Sequence, residues 1–288
     1  MSSVRCDVCF RHCEIEEGRA GFCGVRTCRN GVVEPENYGR ITALALDPIE
    51  KKPLSRFHPG KKILSVGSYG CNLRCPFCQN YSISWSRQAM EERIRAETVS
   101  PEELVRAALS CRDRGNIGLA FTYNEPLIGY EFVRDTARLA HEAGLVNVLV
   151  TNGTAELSVL EEIGPFIDAM NIDLKGFTDR YYRDVLQGDR DMVMAFIQAA
   201  VKRCHVELTT LIVPGENDTE EEIRELSSWI AGLQDVCGGC QGRDIPLHVT
   251  RFFPRFRMQD RAATDVGRVY TLADIARQYL RYVYVGNC

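Results

Sequence analysis

From Lys62 onward, short apolar runs alternate with stretches whose apolar residues recur at helical spacing, a pattern that predicts strands and helices in turn. The predicted strands cover residues 63–66, 117–122, 147–151, 169–174, 206–213 and 247–253. Helix starts are marked by their chemistry. Ser100-Pro101-Glu102-Glu103 reads as a capping box with proline in the first turn. Asp218-Thr219-Glu220-Glu221 sets acids against a helix N-terminal dipole, and Thr271-Leu272-Ala273-Asp274 predicts the start of the last long helix. Repeated strand–helix units imply a parallel sheet with right-handed crossovers. Six such units are too few for an eight-stranded barrel, so the expected fold class is α/β, a partial (β/α)6 TIM barrel. Chemistry in such sheets gathers at the C-terminal strand ends. There the chain places Cys71 after the first strand, Glu125 after the second, Asn152 after the third and Lys175 at the end of the fourth.

Residues 1–60 break this rhythm. They are dense in cysteine, glycine and charge, and read as a small Cys-rich metal-binding module with a connector around Asp47-Pro48-Ile49-Glu50-Lys51-Lys52-Pro53. The partial barrel is expected over residues 61–288. Thirteen cysteines, an odd number and clustered, argue for metal or redox chemistry rather than a disulfide framework. Cys6, Cys9, Cys13 and Cys23 supply four thiolates in a segment too short to build its own core. A structural zinc or an auxiliary Fe–S cluster would each suit them, and four thiolates are a common closed zinc set, which tilts the reading to zinc. Cys28 reads as a spare or alternative ligand. Cys237 and Cys240 read as inert loop thiols, or else as a site completed by Cys288, while Cys111 and Cys204 stand alone.

Composition narrows the classes. With 288 residues, 45% of them hydrophobic, the chain can bury one large core or two smaller ones. No apolar run is long enough to span a bilayer, and the N-terminus has no secretory pattern, so a cytoplasmic location without membrane contact is expected. A formal net charge of −4 argues against nucleic acid as a partner.

The central loop, Gly70-Cys71-Asn72-Leu73-Arg74-Cys75-Pro76-Phe77-Cys78-Gln79-Asn80, presents three thiolates from one short segment. A zinc site or a 4Fe–4S cluster normally takes four protein donors, so three suggest an iron left open for a ligand. On spacing alone, a zinc site completed by His58 or Cys111 remains open.

This CxxxCxxC loop, with Phe77 before its last cysteine, resembles the signature of the radical S-adenosylmethionine (SAM) superfamily. Together with Asp47-Pro48-Ile49-Glu50-Lys51-Lys52-Pro53-Leu54 and Phe57-His58-Pro59-Gly60, it resembles the radical SAM component of the AmmeMemoRadiSam system, which is related to pyruvate formate-lyase activating enzymes. The similarity runs from Cys6 to Asn287. The resemblance implies a 4Fe–4S cluster on Cys71, Cys75 and Cys78 whose open iron chelates SAM. One electron would cleave SAM to a 5′-deoxyadenosyl radical, which takes hydrogen from a substrate. It also implies an electron donor such as flavodoxin or ferredoxin, and a protein substrate or AmmeMemoRadiSam partner proteins. Tyr123-Asn124-Glu125-Pro126 is similar to the Gly-Gly-Glu-Pro region that faces the SAM amine, with both glycines replaced. Thr151 and Asn152 fall at the next strand end and are assigned to the cofactor; Val150 stands there in place of a cation-site acid. Asp173 and Lys175 are similar to an Asp-x-Lys pair whose lysine meets the SAM carboxylate, and two residues apart on a strand they share a face. Pro214 and Gly215 resemble the segment lining adenine. His248 and Arg251 are expected toward the mouth, touching substrate or serving structure. Two rivals stand: a glycyl-radical activase, disfavoured because the extra cysteines precede the loop, and a non-catalytic zinc or Fe–S scaffold. Neither the substrate nor whether SAM is consumed or regenerated follows from the sequence.

Overall fold

The computed structural model describes residues 3–85 and 87–288; Met1 and Ser2, which begin the stretch read as lacking a secretory signal, lie outside them. Its main sheet has eight strands: β1 (Ala43–Pro48), β2 (Lys62–Gly67), β3 (Asn116–Phe121), β4 (Val146–Thr151), β5 (Ala169–Asp173), β6 (His205–Ile212), β7 (Leu247–Arg251) and β8 (Val283–Gly286). Their order in space is their order in sequence. β2 to β8 run parallel, and β1 pairs antiparallel with β2 at one edge. The crossovers carry α1 (Pro101–Ser110), α2 (Tyr130–Glu142), α3 (Leu157–Ile163), α4 (Arg190–Ala200), α5 (Glu220–Ala231) and α6 (Val266–Ala276). The six predicted strands are all present, and β8 extends the sheet beyond them. β1 comes from residues 43–48, so the sheet takes in part of the stretch that reads as module and connector. Among the described residues, no helix is long and apolar enough to cross a membrane.

The caps follow their chemistry. Ser100 Oγ accepts from the Glu103 amide at 3.2 Å while the Glu103 carboxylate accepts from the Ser100 amide at 2.8 Å, closing the expected capping box of α1. Thr219 caps α5 by accepting from the Glu222 amide at 3.2 Å. The expected start at Thr271 is wrong. Asp265 caps α6 by accepting from the Arg268 amide at 2.9 Å, and Thr271 lies inside the helix, its hydroxyl bonded back to Gly267 O.

The N-terminal module is built on two small hairpins, Ser3–Arg5 with Glu14–Glu16 and Arg26–Arg29 with Val32–Pro35. It has no separate core: Cys6, Val8, Ile15 and Cys28 are buried in one cluster with the barrel's own apolar residues. A smaller cluster, in which Ile49 and Leu54 meet Ile63, Ala120, Val148 and Ala169, closes the opposite, N-terminal end of the strands.

Glu207 holds that closure. Fully buried, it accepts from the Ser55 and Arg56 amides at 2.9 and 2.7 Å and meets His205 and His248 at 3.0 and 2.7 Å. Burial alone would raise its carboxyl. The two imidazoles and two amides outweigh burial and pull it from its ordinary 4.5 down to about 2. The resulting stability is whole above pH 4.5, where the unfolded chain is ionised, and is lost as pH falls through about 2. Glu207→Gln is expected to destabilise the fold by about 3 kcal/mol at pH 7, with the deficit shrinking in that acid window, as urea titrations at several pH values would read.

Candidate functional site

The three-cysteine loop leaves the C-terminal end of β2. Gly70 opens it at φ +89°, and an added Cβ would stand 2.8 Å from the Cys23 carbonyl oxygen and 2.4 Å from a Val25 methyl. Glycine is required there because the N-terminal module presses on the loop. The loop is then stitched from both sides: the Arg74 amide donates to Leu186 O at 2.9 Å, and the Arg257 amide to Pro76 O at 2.9 Å. Cys75 is buried; Cys71 and Cys78 are half-buried. Burial raises all three thiols, Cys75 to about 12 even though the Lys175 ammonium opposes the rise. Such thiols stay protonated until a metal displaces the proton.

What surrounds the trio decides which group it fits. Cys71 Sγ has the Asn152 side-chain amide at 3.7 Å, and Cys78 Sγ has the Ser84 hydroxyl at 3.7 Å. The fourth zinc ligands open on spacing are elsewhere. His58 lies just before β2 and Cys111 at the end of α1 before β3, both at the N-terminal ends of the strands. Three thiols neighboured by an amide and a hydroxyl suit a cluster with one iron unligated by protein better than a closed zinc site.

Glu125 stands at the next strand end, 3% exposed. Its carboxylate accepts from Thr151 Oγ1 at 2.7 Å, the Asn152 amide at 2.8 Å and the Leu127 amide at 3.0 Å. Burial still lifts its carboxyl to about 7, because those donors only partly offset the loss of water. Thr151 and Asn152 thus act here as donors that hold Glu125. Asn124 likewise turns inward, accepting from the Ser68 amide and donating to the Tyr69 and Gly70 carbonyls at the root of the loop. Tyr123 sends its hydroxyl to Asp47 at 2.8 Å, away from the strand end, while its backbone keeps φ at +74°. That left-handed conformation is the one glycine favours, so the backbone path survives the loss of glycine.

Just past β5, Lys175 Nζ donates to Asp173 Oδ2 at 2.8 Å, and its charge acts on both Cys75 and Cys78. Its own amide donates to the Tyr182 hydroxyl at 3.0 Å, inside a π-helical turn, Tyr181–Leu186. Pro214 O is taken by Arg261 at 3.0 Å, and Gly215 sits at φ +77° with its amide on Asp218. His248 is a correction. As the second residue of β7 it lies near the N-terminal end, buried on Glu207 and stacked on Tyr284, while Arg251, the last residue, is at the other end with Nε on Thr264 O.

Asn72 is the residue that sequence reasoning passed over. It donates to Thr154 Oγ1 at 2.8 Å, and it accepts from Asn152 at 3.0 Å; its carbonyl accepts from Arg11 Nε at 2.7 Å. Its place inside the motif is the one signal it carries. Through Arg11 the loop reaches the N-terminal module, where Cys6, Cys9, Cys13 and Cys23 line one small cavity. Cys28 is outside it, fully buried and bonded to Glu17. Cys237, Cys240 and Cys288 are all exposed.

The model of the Radical SAM superfamily matches residues 65–230. An uncharacterized protein of Methanocaldococcus jannaschii is 40% identical over 289 residues, covering 99% of this chain and 82% of its own. The pyruvate formate-lyase-activating enzyme of Clostridium pasteurianum is 29% identical over 174 residues, 58% of this chain and 68% of its own. Among solved structures, Streptococcus suis SuiB bound to S-adenosylmethionine shares the fold at TM-score 0.58 and 12% identity, over 78% of this chain and 52% of that one. A domain of pyruvate-formate lyase-activating enzyme from Bacteroides vulgatus does so at TM-score 0.50 and 16% identity, over 59% and 99%.

Proposed function

The chain belongs to the radical SAM superfamily, and from that premise we propose that it is an enzyme that cleaves SAM reductively at a 4Fe–4S cluster on Cys71, Cys75 and Cys78 and abstracts hydrogen from a substrate. The observation that carries this reading is the trio of thiols, with the Asn152 amide beside Cys71 and the Ser84 hydroxyl beside Cys78, set next to Glu125 and the Asp173–Lys175 pair at neighbouring strand ends. When bound, the cluster and SAM supply one-electron cleavage of the sulfonium and a 5′-deoxyadenosyl radical.

The chain's part is to bind and orient. Glu125, a buried carboxylate whose bonded partners are all neutral, offers a place for the SAM ammonium. Lys175 is set to meet the SAM carboxylate, with Asp173 holding it in place until then. Pro214 and Gly215, at the end of β6, form the adenine side of the pocket in this reading. The N-terminal module shields one side, since Glu156 N bonds to Val8 O and Arg11 to Asn72 O across that end of the sheet. Cys6, Cys9, Cys13 and Cys23 hold a second metal group, zinc or Fe–S. A low-potential donor such as flavodoxin or ferredoxin supplies the electron.

Membership of the AmmeMemoRadiSam group is preferred to a glycyl-radical activase because the extra cysteines precede the three-cysteine loop. The M. jannaschii relative aligns over 99% of this chain, so it carries the N-terminal module too. The substrate is then a protein or small molecule handled with that system's partner proteins. Anaerobic reconstitution with iron and sulfide, followed by dithionite and SAM, is expected to give brown protein and 5′-deoxyadenosine. A colourless product carrying zinc alone would favour the scaffold reading.

A further inference from the structure

Past β4 the chain turns through Asn152, Gly153 and Thr154. Gly153 takes φ +70°, and an added Cβ there would stand 3.0 Å from Ile172 Cγ2, so the turn lies tight against β5. The turn brings the side chains of Asn152 and Thr154 onto Asn72, which follows the first cysteine of the loop. All three are enclosed: Asn72 and Thr154 are each 1% exposed and Asn152 is 6% exposed.

Their hydrogen bonds close a circuit. The Thr154 hydroxyl donates to Asn152 Oδ1, Asn152 Nδ2 donates to Asn72 Oδ1 at 3.0 Å, and Asn72 Nδ2 donates to Thr154 Oγ1 at 2.8 Å. The circuit runs in one direction only. The Thr154 amide also donates to Asn152 Oδ1, at 3.0 Å, and the Thr154 carbonyl accepts from Asn72 Nδ2 at 3.3 Å. Turning either side-chain amide over would set NH2 against N–H or oxygen against oxygen, which a buried site penalises heavily. Both amides are therefore fixed, and one hydrogen of Asn152 Nδ2 is left over. It is aimed at Cys71 Sγ, 3.7 Å away and 81 positions earlier in the chain. Backbone bonds anchor both ends, the Asn152 amide on the Glu125 carboxylate at 2.8 Å and the Asn72 carbonyl on Arg11 Nε at 2.7 Å. The Leu73 amide, 3.4 Å from the same sulfur, is a bond within the loop, whereas Asn152 brings its donor from a different strand end. Bracing the turn uses only the circuit. The spare hydrogen serves the sulfur, and hydrogen bonds to cluster sulfurs are a lever on reduction potential.

We propose that Asn152, oriented by Asn72 and Thr154, sets the reduction potential of the SAM-cleaving cluster by donating a hydrogen bond to the Cys71 sulfur. This rests on the reading of Cys71, Cys75 and Cys78 as the ligands of that cluster. An N–H aimed at thiolate sulfur favours the form carrying more negative charge, which is the reduced one. It therefore raises the potential and eases uptake of the single electron. No proton or atom moves in that step: the low-potential donor is oxidised by one electron and the cluster reduced by one. Thr154 acts through Asn152 and is a positioning residue.

The test is a redox titration read by electron paramagnetic resonance on full-length, reconstituted protein without SAM. The chain with Cys71, Cys75 and Cys78 all changed to alanine supplies the baseline, so that only the signal of this cluster is followed. In Asn152→Ala the reduced-to-oxidised ratio at a fixed potential should fall about tenfold, which for one electron is a midpoint about 59 mV more negative. Thr154→Val should move the midpoint the same way by less, because the Thr154 amide still holds Asn152 Oδ1. Thr154→Ser keeps the hydroxyl and should restore the parent's midpoint. A merely structural role would lower the melting temperature of Thr154→Val and leave its midpoint alone. An unshifted midpoint in Asn152→Ala, or in Thr154→Val where Asn152→Ala fails to retain iron, would overturn the proposal. If the parent gives no signal beyond the triple-alanine baseline, it is the assignment of the three cysteines that fails, and the proposal with it.

Discussion

Replacing Cys75 with alanine is expected to bring 5′-deoxyadenosine production down to the uncatalysed background while leaving the fold intact. The cluster read onto this loop has three protein ligands, so loss of one leaves two irons without a protein donor and no stable anchor beside Lys175. Activity should therefore fall by far more than the hundredfold usual for weakening a metal's surroundings. The fold should tolerate the change. Cys75 contributes one sulfur to the core, and trimming it to alanine resembles the loss of one buried group, on the order of 1 kcal/mol. The loop is also held by bonds the substitution leaves alone, from the Arg74 amide to Leu186 O and from the Arg257 amide to Pro76 O. Product by chromatography, iron content and a thermal melt read the three quantities together. Turnover retained in this variant would remove Cys75 from the ligand set.

The features that survived the passage from sequence to structure are local ones. Six of the seven parallel strands are apolar runs long enough to read alone, and the caps at Ser100 and Thr219 are made within one turn. The cysteine loop is local too, its three thiols coming from one short segment. What was hidden depends on partners distant in sequence. β1 is a strand because residues 43–48 find β2, and β8 has four residues, too few to show a period. Asp265 outcompetes the expected start at Thr271 because its carboxylate reaches the Arg268 amide. His248 was assigned to the mouth from its strand alone, yet being second rather than last on β7 sends it to the opposite end. Tyr123 shows the same limit. Its place in the motif is legible, but its side chain follows Asp47, a residue the sequence places 76 positions away.

Glu125 offers the sharper test of the pocket, because its fold and its function should respond in opposite directions. Held in the ligand-free protein at about 7, its carboxylate is an anion the surroundings oppose. The cost of keeping that charge grows as pH rises from 4.5 to about 7 and is constant above, since the folded state binds the proton more tightly than the unfolded chain. Glu125→Gln removes the charge and keeps the shape. One of the three donors, from Thr151, Asn152 or Leu127, then faces an amide NH2 and goes unpaired, which costs about 1–3 kcal/mol. Relief of the buried charge offsets this, so at pH 7 or above the melting temperature should hold or rise slightly. SAM binding should weaken at least tenfold, because the ammonium loses a partner that burial makes strong. A radiolabelled SAM titration beside a melt at pH 8 reads both. If the variant binds SAM as tightly as the parent, Glu125 serves only to brace Thr151 and Asn152, and the ammonium is met elsewhere.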